Sequence, residues 1–376
     1  MKNIYFDHNA TTKLDESVNK DMANLAKKLY GNPSSVYKIA RDSKEIIDES
    51  KMKISKILKC SNKEIYFTSG GSESNNWAIK GIAYANKEKG KHIITSKIEH
   101  PSVLETCKYL EKQGFDITYL DVDENGFVKF NQLKSKLRKD TILVSIMYAN
   151  NVIGTIQPIN KISKFLKDKD VYFHTDAIQY IRHNDIDLEN LNVDLVSLSG
   201  HKFYGPKGVG LLYIKKGIQI DPLIHGGGQE RNLRAGTENF ISQYGMYKAL
   251  NKLEENKIKR RDFVDKITNY MIKKIKSLDF KIYINGSLNQ RISGNIHLTI
   301  PDINQESLLF NLDLQGVYVS AGSACSSGSI ERSGVLKAIG QKVLGANLRI
   351  SLGYTNTEKE IDYFIEKLKN IIERLK

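Results

Sequence analysis

Between residues 64 and 214 the chain alternates short apolar runs with stretches of helix length, and this rhythm restricts the fold more than any other feature. Strand-like runs are expected at 64–68, 91–96, 117–120, 141–147, 171–174, 193–198 and 209–214, most of them separated by helix-length segments. A parallel strand pair needs a long crossover, so this spacing predicts a mainly parallel sheet wrapped by helices. In such sheets ligands gather beyond the carboxyl ends of the strands. Ser72, His100, Asn151, Asp176, Gln179 and Lys202 all fall at that edge.

Lys202 is the most informative of these. It follows a strand-like run and sits between Gly200 and Gly205, where backbone can approach a ligand closely. A lysine in such a pocket sheds its proton and acts as a Schiff-base nucleophile; a lysine in the open is merely solvated. Ser69-Gly70-Gly71-Ser72 joins a strand to a helix and lacks the Gly-Lys-Ser/Thr ending of a Walker loop. Its amide N–H groups and the helix dipole suit a phosphate, or the serine simply caps the helix.

Asp176 ends the apolar run VYFHT and needs a cationic partner such as a protonated pyridine nitrogen, unless it caps the next helix. Gln179, one turn on, faces the same ligand or solvent. His100, in SKIEHPS, suits stacking on a flat ring and proton transfer near neutral pH; a satisfied core histidine is the plainer reading. Arg349, in NLRISLG, offers a bidentate grip on a carboxylate, or is an ion-paired edge-strand arginine. Cys325 lies among small residues, SAGSACSSGS, a run expected to form a mobile loop that displays a reactive thiolate. Cys60 and Cys107 look structural.

At 376 residues two domains are expected. Segment 241–278 reads as two helices with the domain junction inside, followed by strands at 282–284, 294–300, 317–319 and 347–352 and a closing helix over 358–375. The net charge of +14 invites a nucleic-acid partner, but the basic residues are spread along the whole chain. The densest cluster, 257–261, reads as the solvated face of a helix. Three cysteines without metal spacing suit a reducing compartment. With no signal-like or membrane-length apolar run, a cytoplasmic location is expected.

The ordered motifs YFDHNATT, GNPSS, FTSGGSESNN, HIITSKIEH, FHTDAIQ, SLSGHK, HGGGQE, AGTEN, SAGSACSSGS and LRISLG resemble the cysteine desulfurases of the NifS/IscS type. These are a branch of the class V aminotransferase-like, fold-type I pyridoxal-phosphate enzymes, and the likeness spans essentially the whole chain. It implies a large cofactor-binding domain over 16–257 and a smaller α+β domain formed by 1–15 and 258–376. It also implies that pyridoxal 5'-phosphate forms a Schiff base with Lys202, with Asp176 on the ring nitrogen, Gln179 on the ring oxygen and His100 stacked on the ring. Gly71, Ser72, Ser199 and His201 would take the phosphate, with Thr237 reaching in from the second subunit of a homodimer. Asn151 and Arg349 would hold the cofactor edge and the substrate carboxylate.

On the same likeness, L-cysteine would give L-alanine and a persulfide on Cys325, which passes sulfur to an iron–sulfur scaffold or a tRNA thiouridylase. No intrinsic metal site is implied, beyond transient cluster ligation by Cys325. Two positions depart from the family pattern: Val152 stands where glutamate is usual, and Tyr37 where histidine commonly follows GNPSS. The chain also ends sooner after its last helix than housekeeping members do, which leaves the acceptor open. The alternatives are a selenocysteine lyase, a class V aminotransferase with no need of Cys325, and a non-catalytic RNA- or protein-binding member of the fold.

Overall fold

The computed structural model describes residues 3–322 and 333–376. Strand β1 (Ile4–Tyr5) comes first in the chain. A seven-stranded sheet follows, from β2 (Ile65–Thr68), β3 (His92–Ser96), β4 (Asp116–Leu120), β5 (Thr141–Ser145), β6 (Tyr172–Asp176), β7 (Leu195–Ser199) and β8 (Gly210–Ile214). Its order is β2-β8-β7-β6-β5-β3-β4, with every pair from β7 to β4 parallel and β8 antiparallel to both its neighbours. β3, β5, β7 and β8 are buried along their whole length, as strands covered on both faces must be.

The chain steps outward from β3 to β4, then returns to β5 on the other side of β3. A crevice opens where the winding direction reverses, and the loops after β3 and β5 line it. Helix Gly71–Ala85 lies over the sheet, with Trp77 fully buried and its indole N–H donating to the Asp221 carbonyl at 2.9 Å.

The second sheet is antiparallel, in the order β12-β10-β9, from β9 (Tyr283–Ile284), β10 (Asn295–Pro301) and β12 (Gly345–Ser351). β1 pairs in parallel with β11 (Val317–Tyr318) instead, and Ile4 and Phe6 pack into the core beneath this sheet. The amphipathic helix Glu358–Leu375 closes that core through Ile361, Phe364, Leu368 and Ile372.

Two expectations are corrected. Segment 241–278 is one continuous helix, Phe240–Lys276, rather than two. Its first half packs Met246, Leu250 and Leu253 into the large core, and its second half packs Val264, Ile267 and Met271 into the small one. No Pro occurs in the helix and no Gly after Gly245, so nothing interrupts the hydrogen-bond ladder between the two cores. Cluster 257–261 is also not simply a solvated face. Lys257 is buried, with Nζ 2.6 Å from Asp185 and ion-paired to Glu254.

Candidate active site

The turn after β7 places Lys202. Gly200–Lys202 forms one 3₁₀ turn, and the Gly205 N–H returns to the Gly200 carbonyl at 3.0 Å. A Cβ at Gly205 would lie 2.8 Å from that carbonyl oxygen, so the turn requires glycine there. The Lys202 amine donates to the carbonyls of Asn9 and Ala10, each at 2.7 Å. Burial, then the charges of Arg349 and Arg182, push its pKa down to about 8, against the pull of Asp176 and Asp7.

Lys202 opens on a cavity of about 190 Å³ lined by Gly71, Ser72, His100, Ser102, Met147, Asn151, Asp176, Ile178, Gln179, Ser199 and His201. Nearly every residue expected at the site therefore meets in one place. Asp176, the last residue of β6, is buried and accepts from Asn75 Nδ2 at 2.8 Å and from the Ile178 N–H at 3.0 Å. His100 is the N-cap of helix Pro101–Glu111. Its Nδ1 accepts the Ser102 N–H at 3.1 Å, which leaves the ring hydrogen on Nε2. Burial lowers its pKa, so the neutral ring is favoured.

Gly71 and Ser72 begin the 15-residue helix Gly71–Ala85, whose first turn faces Ser199 and His201. A neighbouring hollow of about 360 Å³ shares these four residues and adds Thr11, Lys207 and Glu73, whose charge is taken up by Arg234 at 2.8 Å, so this end of the site suits an anion. His201 Nδ1 lies 3.1 Å from Thr11 Oγ1, and burial pushes the His201 pKa down to about 4. Gln179 lines the cavity while its Nε2 donates to the Asn9 carbonyl at 2.9 Å.

Arg349 lies on β12, which is an edge strand, and does not line the cavity. Its guanidinium pairs with Asp7 at 2.7 Å and donates to the carbonyls of Gly322 at 2.8 Å and Asn151 at 3.1 Å. Arg349 Nε is buried and has no hydrogen-bond partner. Thr237 is exposed and lies outside the lining of this chain's cavity. Cys325 lies outside the described residues. Val152 is buried in the large core, and Tyr37 is exposed at the start of helix Lys38–Leu58. Among the described residues no cluster of metal-ligating side chains occurs, and no helix is long and apolar enough to cross a membrane.

Sequence reasoning missed Asn9, Ala10, Ser102, Met147 and Arg182. Asn9 and Ala10 act through their carbonyls, which carry no side-chain signature. Ser102 was legible as the residue two past His100. A larger hollow of about 690 Å³, lined by Lys44, Lys51 and Glu230 among others, contains none of the expected residues.

A family model described as aminotransferase class-V matches residues 4–364. A cysteine desulfurase IscS of Dictyoglomus turgidum is 48% identical over 377 residues, covering 100% of this chain and 96% of that protein. The solved structure of a NifS-like protein superposes with a TM-score of 0.94 at 38% identity, covering 100% of both chains. Another solved structure, SspA in complex with cysteine, gives a TM-score of 0.83 at 35% identity, covering 94% of this chain and 100% of that one.

Proposed function

The chain belongs to the aminotransferase class-V family and is a cysteine desulfurase, and from that premise we propose that Lys202 and Cys325 divide its chemistry between them. Enzymes of this family depend on pyridoxal phosphate, and the residues lining the cavity fit that group. Lys202 offers an amine with no carboxylate partner among the described residues, Asp176 a buried carboxylate for a protonated ring nitrogen, and His100 an imidazole wall. Gly71, Ser72, Ser199 and His201, at a helix N-terminus, would hold the phosphate. Gln179 and Asn151 would hold the ring edge, and Arg349 the substrate carboxylate.

When bound, the coenzyme supplies the electron sink for charge developing at the substrate Cα. The chain does the rest. Lys202, poised near pH 8, takes the Cα proton. His100, lining the cavity, would relay a proton, taking one up as it gives one away. The Cys325 thiolate attacks the sulfur of L-cysteine; the carbon–sulfur bond breaks as the sulfur–sulfur bond forms. Cβ takes up a proton equivalent to the one the Cys325 thiol lost, Lys202 returns the Cα proton to give L-alanine, and the persulfide on Cys325 is the form in which sulfur leaves for an acceptor protein. Iron–sulfur assembly fits the relatives' names, and tRNA thiolation is the other candidate route.

We read the working protein as a cytoplasmic homodimer, with Thr237 serving the partner's phosphate site; its exposure on this chain supports that. The division into 16–257 and 1–15 plus 258–376 belongs to the same reading, supported by the packing of Ile4 and Phe6 with the second core. The observation that carries the proposal is the convergence of Lys202, Asp176 and His100 on one cavity. The test is L-alanine formation from L-cysteine by the wild type, Cys325→Ala and Lys202→Ala. Both variants should lose turnover, and only Lys202→Ala should lose the visible absorbance of lysine-bound coenzyme. Turnover retained by Cys325→Ala would refute the assignment.

A further inference from the structure

Arg182 is a buried arginine whose three hydrogen-bond partners are all uncharged. Its guanidinium donates from Nε to His183 Nε2 at 2.7 Å, from Nη1 to the His8 carbonyl at 2.8 Å and from Nη2 to Asn9 Oδ1 at 2.8 Å. Among the described residues no carboxylate pairs with it, although a buried guanidinium ordinarily recruits one. The histidines beside it do not add charge. Burial pushes His8 down to about 3 and His183 well below its ordinary value. Arg182 is therefore the charge of this cluster, and the two residues it grips, His8 and Asn9, lead directly to the carbonyls of Asn9 and Ala10 that hold the Lys202 amine.

We propose that Arg182 is a positioning residue for Lys202: it fixes the His8–Asn9 backbone that receives the amine, and it sets an uncompensated positive charge behind it. This rests on the reading of Lys202 as the coenzyme lysine and extends it to the residue that prepares that amine. The other charges facing Lys202 do not replace Arg182. Arg349, on β12, acts in the same sense as Arg182, but it is paired with Asp7 at 2.7 Å, which offsets it in part. Asp176, at the end of β6, acts in the opposite sense, and His100 and His201 are held toward neutrality by burial. Without Arg182 the ammonium form of Lys202 would lose a repulsive neighbour, and fewer amines would be free near neutral pH.

The test is competitive acetylation of Lys202 in the full-length protein freed of coenzyme, read by peptide mass spectrometry across pH. The wild-type lysine should be half-reactive near pH 8. In Arg182→Met that midpoint should rise by about one pH unit. Arg182→Lys keeps the charge and loses the fork, so its midpoint should stay with the wild type while capture of added pyridoxal phosphate slows. An unchanged midpoint in Arg182→Met would overturn the proposal, as would an equal rise in Arg182→Lys. Should Arg182→Met fail to fold, Asn9→Asp supplies an anion at the 2.8 Å contact. Its midpoint should also rise, and a wild-type midpoint there would overturn the proposal. Acetylation requires no desulfuration, so this outcome is independent of whether Cys325 receives sulfur.

Discussion

The Lys202 amine and the Asn9 carbonyl, 193 residues apart in sequence, meet at 2.7 Å. The same carbonyl accepts from Gln179 at 2.9 Å, so the N-terminal segment forms one wall of the site rather than a loose end. The parallel pairing of β1 with β11 anchors that segment, and the Thr12 N–H and hydroxyl both donate to the His201 carbonyl.

Lys202 is pushed down to about 8, first by burial and then by Arg349 and Arg182. Capture of a carbonyl needs the neutral amine. The rate of pyridoxal phosphate uptake should therefore rise about tenfold per pH unit below pH 8 and level off above it. Stopped-flow absorbance checks this, and a rate still climbing steeply at pH 10 would indicate an ordinary exposed lysine.

Gly71 opens the helix at the anion end of the cavity. A Cβ there would lie 2.2 Å from Ile178 Cδ1, and Ile178 lines the same cavity. In Gly71→Ala the isoleucine must swing aside, at a cost of about 1–3 kcal/mol. Coenzyme affinity should fall roughly tenfold or more by titration. An affinity equal to wild type would show that this corner has room to spare.

Acid should unfold the protein through its histidines. Burial pushes His8, His174 and His297 each down to about 3. Unfolded, they titrate near 6.5, so the unfolded chain binds protons that the folded chain refuses. Stability supplied by these groups is complete above about 6.5 and is lost as pH falls toward 3. Glu99, pushed up to about 8 by burial, acts oppositely, since its fold keeps a proton that the unfolded carboxylate releases above about 4.5. These three histidines outweigh one glutamate, and His183 and His201, also held low by burial, add in the same sense. Urea unfolding should lose at least about 2–3 kcal/mol between pH 6 and 5, and a flat profile would contradict this balance.

The continuity of helix Phe240–Lys276 can be tested at Ile258, which is 69% exposed on the span between the two cores. Ile258→Pro should cost about 3 kcal/mol or more, because it removes a ladder bond and clashes with the preceding turn. Ile258→Ala should stay within about 0.5 kcal/mol of wild type. Calorimetry separates the two, and a harmless proline would point to a break in the helix.

The α/β sheet was legible because its central strands are short runs buried on both faces, and the cavity because its side chains fall just past those strands. What escaped reading depends on long-range partners. Lys257 resembles any surface lysine until Asp185 is seen beside it. Arg349 showed its strand but not its pairing with Asp7, 342 residues away. Arg182 gave no signal at all, since a charged residue buried without a counter-charge runs against every expectation drawn from composition.

The central claim is that sulfur from L-cysteine is received by Cys325 in a site built around Lys202. The most direct measurement is the mass of the Cys325 peptide after the coenzyme-loaded protein is mixed with L-cysteine and trapped with an alkylating reagent. The account predicts one added sulfur on Cys325 in the wild type, removable by a reducing thiol and absent in Lys202→Ala. Sulfur found instead on Cys60 or Cys107, or an unmodified Cys325 in protein that still forms L-alanine, would contradict it.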